Sequence, residues 1–493
     1  MSLNTLTFTR PITRHMSLET LSPTFDSSTR HTSITTSTFN LVSTVIGGGI
    51  LSIPFAYATT GLLLTSIYIL VASVMAGFSL YILCSCSRRT GGCSYSDVVR
   101  IAFGTTAELS VTLILTVFLL FVTTAYMILM RDINTSLLTF LLFPLPPNTV
   151  LFYSVLLCIP CMLMRDLHSL RYNCYVGFLS VLILLLSIIY KSINVNLEDP
   201  GRLEGNVLMV TESFYDCTFA FPLIALAFLS QFNMLSVHAS LYNPTRRRLL
   251  TVIISCVSTC TILFLLFGIS GYMYGLGETR DNVLLNFDDD DGVIVYGKAG
   301  LGVTIMAGIS MIVLPCRGAI FETVKLCRRK EEGEEGEKTP LTKHMKEKYM
   351  DEAMDTFALE YDTPLSISED STSPRELFSH VTVTLAIAGT CFTAACYCPG
   401  VSTVWSICGS SLGFIIAYIL PSACYIKLRG KKGRNARVVG SWIMLVVSSV
   451  GCVVCTIQAV DKVLRGSPTV ADEFSDFYDD DFHNVTADDR GML

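Results

Sequence analysis

Charge is scarce in this chain. Only 15% of its 493 residues are Asp, Glu, Lys or Arg, against 51% that are hydrophobic. With a mean hydropathy of +0.54, that composition excludes a soluble protein of this size and implies a polytopic membrane protein. The long apolar runs contain no paired acids, no histidine cluster and no nucleophile beside a base, which speaks against an enzyme. A gated channel needs a ring of charge or a repeated filter sequence, and neither is present. Nothing in the pattern points to nucleic acid, a resident metal or an organic cofactor. The first 35 residues lack the compact apolar core of a cleavable signal peptide. They are rich in Ser and Thr, carry Arg10, Arg14 and Arg30, and are expected to form a disordered cytosolic tail. Cysteine is not scarce, at 18 residues, but most, such as Cys84, Cys158, Cys256, Cys391 and Cys452, fall inside apolar runs. There they behave as small hydrophobes and fix no redox compartment.

A spanning helix needs roughly 20 apolar residues. Eleven such runs are expected, at 36–58, 61–86, 106–130, 148–164, 170–190, 213–240, 249–274, 299–322, 377–397, 401–426 and 438–459. If the N-terminus is cytosolic, 26 of the 35 Lys and Arg residues fall on the cytosolic side and 8 on the other, with Arg317 inside the eighth run. The positive-inside rule therefore places the N-terminus in the cytosol and, for an odd count, the acidic tail 460–493 outside or in a lumen. Both N-x-Ser/Thr sequons, at Asn134 and Asn484, fall on that outer face, and Asn484 is the expected glycosylation site. Residues 328–375 form a charged cytosolic loop, either a solvated linker or, with the tail, a site for regulatory partners. The tetrapeptide YSDV at Tyr95 also has the form of a sorting signal.

The first run, STFNLVSTVIGGGILSIPFAYATTG, carries three consecutive glycines at its middle. Glycine costs about 1 kcal/mol of helix propensity relative to alanine at each position. The run can serve close packing against a neighbour. Three together also free the backbone, and unpaired amides at membrane depth are tolerated only around a cavity or where they find partners. A half-helix starting near Ile50 would aim its amides and positive dipole end at such a cavity, which suits a carboxylate. Gly47, Gly48 and Gly49 are therefore the candidate substrate site. The sixth run has a weaker break, with Pro222 early and SQFN (Ser230 to Asn233) near its middle. Interruptions at spans one and six are what a five-plus-five inverted repeat predicts. The expected fold is all-α, with eleven transmembrane helices and broken helices 1 and 6.

The segment FNLVSTVIGGGILSIPFAYATTG resembles the first span of the amino acid/auxin permease family, particularly its sodium-coupled neutral amino acid transporters. The similarity continues at TTAYMILMRD (Thr123 to Asp132), FPLIALAFLSQFNMLSVHASLYNP (Phe221 to Pro244), GYMYG, VLPCRGAIFE and YILPSACYIKL. It runs through residues 36–459 in order. The resemblance implies the fold of the amino acid, polyamine and organocation superfamily, and alternating-access transport of L-amino acids, neutral ones first. A proton-coupled transporter and an amino acid sensor built on the same fold remain alternatives, as do the plasma membrane and an endolysosomal or vacuolar membrane.

It also implies roles by position. The Gly47 to Gly49 amides would hold the substrate carboxylate. Ser230 and Gln231 stand where many members have a Cys-His pair, and Thr124 and Tyr126 match third-span positions that face the site. Tyr126 could equally be packing, and Thr124 could bond its own backbone. Arg317 matches a basic position for which a structural role is expected. Sodium-coupled members hold their ion with a first-span Asn and eighth-span hydroxyls. Here Ser43 stands for the Asn, and Met306 and Gly308 for threonines, leaving Thr304 and Ser310 as the nearest hydroxyls. Sodium is the expected coupling ion, on Ser43, Thr304 and Ser310.

Overall fold

The computed structural model describes residues 32–464 apart from 93, 144, 164–170, 289–291, 332–373, 399 and 430–434. The N-terminal tail, most of the 328–375 loop and Asn484 lie outside the described residues. Apart from an isolated bridge between Thr32 and Leu241, the described residues form no β-structure. Nine helices among them are long and apolar enough to cross a bilayer, or ten when the bent pair Ile34–Val45 and Gly48–Thr60 is one span. The expected fourth span is the apolar helix Pro147–Met162, whose 16 residues reach about 24 Å and fall short of a 30 Å hydrocarbon core.

In chain order the helices are α1 (Ile34–Val45), α2 (Ile53–Thr60), α3 (Leu62–Thr90), α4 (Tyr95–Phe103), α5 (Thr105–Phe140), α6 (Pro147–Met162), α7 (Arg171–Glu198), α8 (Phe214–Ala227), α9 (Gln231–Ser240), α10 (Arg246–Gly275), α11 (Gly292–Glu331), α12 (Pro374–Tyr397), α13 (Val401–Cys408), α14 (Leu420–Arg429) and α15 (Ala436–Leu464). Between α13 and α14 the tenth span continues through two wide π-turns, Gly409–Gly413 and Ile415–Ile419. Gly409 has to be small there, because a Cβ would stand 2.6 Å from the carbonyl oxygen of Pro222. The near face below is the one from which α1 starts, and the far face is its opposite.

The two expected breaks are both present. The first span leaves α1 at Val45, bends by 49° and resumes as a 3-10 turn, Gly48–Ser52, that runs into α2. The sixth span breaks over Phe228 to Ser230 between α8 and α9. α1 packs against α9, and α2 against α8. The first half of one broken span thus lies beside the second half of the other, the antiparallel crossing that an inverted pair requires.

One expectation needs correction. Hydropathy ends the third span at Met130, yet α5 continues to Phe140. Arg131 interrupts the apolar run without exposing it: the side chain is only 7% exposed because its charge is paired within the bundle. The helix continuation sets a half-buried Asn134 against α6, its Nδ2 donating to Ser154 Oγ at 2.9 Å, a poor position for a glycan. Tyr95 cannot be read by a sorting receptor in this fold, since it is 6% exposed and its hydroxyl donates to the Ile416 carbonyl at 2.7 Å. Its helix α4 is fixed by a capping box between Ser94 and Asp97.

Candidate functional site

Gly47 lies at the bend with φ −117° and ψ −155°, an extended residue between two helical segments. The first 3-10 bond runs from Ile50 N to the Gly47 carbonyl at 3.3 Å. The amides of Gly48 and Gly49 therefore precede the ladder, as the first amides of any helix do. The walls come from three other helices. A Cβ on Gly47 would meet the Tyr126 hydroxyl of α5, and one on Gly48 would strike the end of Leu129, one turn further along α5. The Trp405 ring edge of α13 stands 3.7 Å from that same Gly48 position, and Ala227, the last residue of α8, 3.5 Å from the Gly49 position. Tyr126 and Trp405 meet edge to face with centroids 6.4 Å apart, and Gly308 of α11 backs the Tyr126 ring. The first span opens its backbone at a point enclosed by apolar and aromatic groups, and the positive end of the following turn is directed there.

The structure brings Tyr126 to the glycines but not Thr124, whose hydroxyl returns to the Leu120 carbonyl at 2.9 Å on the side of α12, where Cys391 Sγ reaches the same oxygen. Gln231 braces the second break: its Oε1 accepts from the Ser230 amide at 3.0 Å and its Nε2 lies 3.5 Å from Ser79 Oγ. Ser79 in turn donates to the Ala417 carbonyl. Ser230 is fully buried, and its hydroxyl has no partner among the described residues.

The three hydroxyls expected to hold sodium divide into two places. Ser43 donates to the Asn40 carbonyl at 3.0 Å and lies one turn beyond Phe39, which stacks on Tyr175 of α7. Thr304 donates to the Gly300 carbonyl at 2.9 Å and abuts Gly177 of the same helix. Thr304 thus abuts α7 at Gly177, whereas on α1 the contact with α7 is made by Phe39, one turn before Ser43. Ser310, six residues beyond Thr304, is about 120° further round α11 and buried, its hydroxyl unpartnered among the described residues. Arg317 is likewise buried, donating to Thr384 Oγ1 at 2.9 Å and to the Met162 carbonyl at 3.2 Å, which ties α11 to α6 and α12.

Three features were missed in the sequence. Trp405 is 5% exposed, with its indole N–H unpartnered among the described residues; its only signal was rarity, since the chain has two tryptophans. On the far side of the break, Asp132 pairs with Arg131 at 3.3 Å and lies 3.5 Å from Asn282 Nδ2. Asp281 accepts from Asn282 N at 2.9 Å and from Ser402 N at 3.1 Å, and Arg131 donates to the Ala395 carbonyl at 3.1 Å. These bonds fasten α5, α12 and α13 to the loop after α10, whose turn Val283–Asn286 packs on Gly48–Ser52. On the near side, Asn233 Nδ2 donates to Thr44 Oγ1 at 2.7 Å and lies 3.4 Å from Asn40 Oδ1. Thr32 N donates to the Ser240 carbonyl at 3.1 Å, and Tyr242 N to the Thr32 carbonyl at 3.0 Å. The break is thus bracketed by a polar tie on each side.

Comparison with known proteins gives a consistent result. The family model described as "Transmembrane amino acid transporter protein" matches residues 30–460. Vacuolar amino acid transporter 7 of Saccharomyces cerevisiae is 28% identical over 297 residues, 58% of this chain and 59% of the relative. Vacuolar amino acid transporter 5 of Schizosaccharomyces pombe is 23% identical over 59% of this chain and 69% of its own length. Human solute carrier family 38 member 10 is 22% identical over 83% of this chain and 34% of its own length. The match therefore spans about three fifths of the first of these relatives and one third of the human one. Two solved structures share the fold at 12% identity. A sodium-coupled sialic acid symporter in a substrate-bound outward-open state has a TM-score of 0.51, covering 90% of this chain and 92% of its own. A nucleobase-cation-symport-1 family transporter, closed around bromovinylhydantoin, has a TM-score of 0.54, covering 91% and 96%.

Proposed function

Because the chain belongs to the transmembrane amino acid transporter family, we propose that it moves an amino acid across a membrane by exposing the glycine break of its first span to each face in turn. The observation that carries this reading is the pair of unladdered amides at Gly48 and Gly49 inside the wall formed by Tyr126, Leu129, Ala227 and Trp405. The amides and the dipole end of Gly48–Ser52 bind the carboxylate. No charged side chain is among the groups that meet the glycines, so a neutral substrate side chain fits best. The far tie through Asp132, Asp281 and Asn282 and the near tie through Asn233 and Thr32 act as alternate gates, since opening either face requires its bonds to break. Uptake over a panel of labelled amino acids tests the substrate class; preference for a cationic or acidic one would overturn it.

The Trp405 indole N–H is the donor we assign to bound substrate. An unpartnered buried donor destabilises the empty protein and gains a partner on binding. Trp405→Phe is therefore expected to raise thermal stability without substrate while raising KM about fivefold, the worth of one hydrogen bond of about 1 kcal/mol. Loss of stability together with an unchanged KM would place Trp405 in packing alone.

Sodium remains the proposed coupling ion, on Ser43 and Thr304. A hydroxyl that donates its proton to its own helix still presents lone pairs outward; Thr304 abuts α7 at Gly177 and Ser43 lies one turn beyond Phe39, which stacks on Tyr175 of the same helix. Ser43→Ala and Thr304→Ala should each raise the sodium concentration for half-maximal uptake without changing substrate preference. Full uptake in sodium-free medium by all three proteins would remove sodium from the cycle and leave a proton or exchange as the coupling. The names of the two yeast relatives support a vacuolar or endolysosomal location, with the N-terminus cytosolic and Asn484 glycosylated on the lumenal side. A mobility shift on deglycosylation, absent in Asn484→Gln, checks the sidedness; cytosolic protease reaching the C-terminus in sealed organelles would reverse it.

A further inference from the structure

We propose that the groove between the near-face ends of α11 and α12 is a binding site for one anionic phospholipid. A cavity of 530 Å³ opens there, lined by Ile320, Phe321, Val324, Lys325 and Arg328 of α11 and by Ser379 and Val383 of α12. Its position and its lining both fit a lipid. α11 and α12 are two of the apolar helices able to cross a bilayer, as Ile294–Arg328 and Phe378–Tyr397, so the groove sits where one spanning segment ends and the other begins. Arg317 and Thr384, bonded to each other, lie within one turn of the lining residues Ile320 and Val383. Four of the seven lining residues are apolar, and Phe321, Val324 and the flanking Phe378 are exposed at 39%, 45% and 73%. Open apolar surface of this kind at a helix end is stable against acyl chains and costly against water.

The polar end of the groove is cationic. Lys325 and Arg328 are one turn apart on α11 and exposed, and neither forms an ion pair among the described residues. Glu322, one turn before Lys325 on α11, interacts with Lys325 as well as with Asp97 and Arg100. Long basic side chains at a helix end extend toward the headgroup layer while their stems lie on apolar surface. Basic pockets between transmembrane helices take phosphate-bearing headgroups by charge complementarity. The lipid lies with one acyl chain against Ile320, Val324 and Val383, its phosphate on Lys325 and Arg328, and Ser379 beside the glycerol oxygens. The chain continues beyond α11 with EEGEEGE from Glu331, a competing anion that the experiment has to separate.

The test is native mass spectrometry of the full-length protein in detergent, titrated with a short-chain phosphatidylinositol phosphate and, separately, with the matching phosphatidylcholine. One tightly bound anionic lipid per chain is expected, and none of the zwitterionic one. Lys325→Gln with Arg328→Gln should weaken binding roughly 30-fold, since each headgroup-facing cation supplies about a fivefold factor. Val383→Trp, which keeps both charges and fills the acyl slot, should weaken it comparably, whereas Arg247→Gln, an exposed cation at the start of α10, should leave it unchanged. Equal loss in Arg247→Gln would reduce the effect to general surface charge, and full binding by Val383→Trp would show that no groove is used. Binding that appears only when Glu331, Glu332, Glu334, Glu335 and Glu337 are neutralised would make the chain's own acidic segment the occupant. Each of these three results overturns the proposal.

Discussion

Gly48→Leu is expected to reduce amino acid uptake roughly 100-fold, the scale at which small displacements at a site abolish productive geometry, while the protein still reaches its membrane. Two effects act together. A Cβ at Gly48 already collides with Leu129 and touches the Trp405 edge, so a leucine fills the space where a carboxylate would sit. The substitution also favours continuous helix over the break by about 1 kcal/mol. Gly49→Ala is the internal control, because its Cβ would stand at an ordinary 3.5 Å from Ala227; it should retain most uptake. The glycines also pack tightly, and the comparison separates the two roles. If Gly48→Leu is misfolded and Gly48→Ala transports normally, the run serves packing and not binding.

The second large effect is on stability. Arg131→Met is expected to destabilise the protein by about 3–5 kcal/mol, the cost of leaving a largely buried carboxylate, 12% exposed at its side chain, uncompensated. Asp132 would keep only the 3.5 Å contact with Asn282 and would still face Asp281 across that residue. Removing the stranded charge should reverse most of the loss, so Arg131→Met with Asp132→Asn should unfold nearer to wild type than Arg131→Met alone. Thermal unfolding of wild type, Arg131→Met, Asp132→Asn and the double variant in detergent gives the coupling directly. Independent, additive losses would show that the pair does not hold the far face.

Part of this could be read from residues alone, and the reason is physical. Bilayer length turns hydropathy into span positions, and three adjacent glycines or a proline before SQFN mark where a spanning helix cannot continue. Both breaks were legible on those grounds, at Gly47 to Gly49 and near Ser230. Tyr126 was reached only through family resemblance, since its place beside Gly47 depends on how α5 crosses the first span. Arg131 and Asp132 were visible as charges but took the form of a helix end, because hydropathy cannot distinguish a charge facing solvent from one paired inside a bundle. Asp281, Asn282 and Ser402 carry no local signal: their contacts join positions up to 150 residues apart. Thr124 shows the converse, a hydroxyl with the right neighbours in sequence whose proton goes to its own helix.

The central claim is transport through the glycine break, and uptake of labelled amino acids by the purified protein in sealed vesicles tests it most directly. The proteoliposomes should accumulate at least one neutral amino acid against its gradient when a sodium gradient is imposed. Vesicles bearing Gly48→Leu should not. Saturable binding of the same amino acids to wild type, with no movement into the vesicle lumen under sodium, proton or exchange conditions, would contradict the account and make the protein a sensor on a transporter fold.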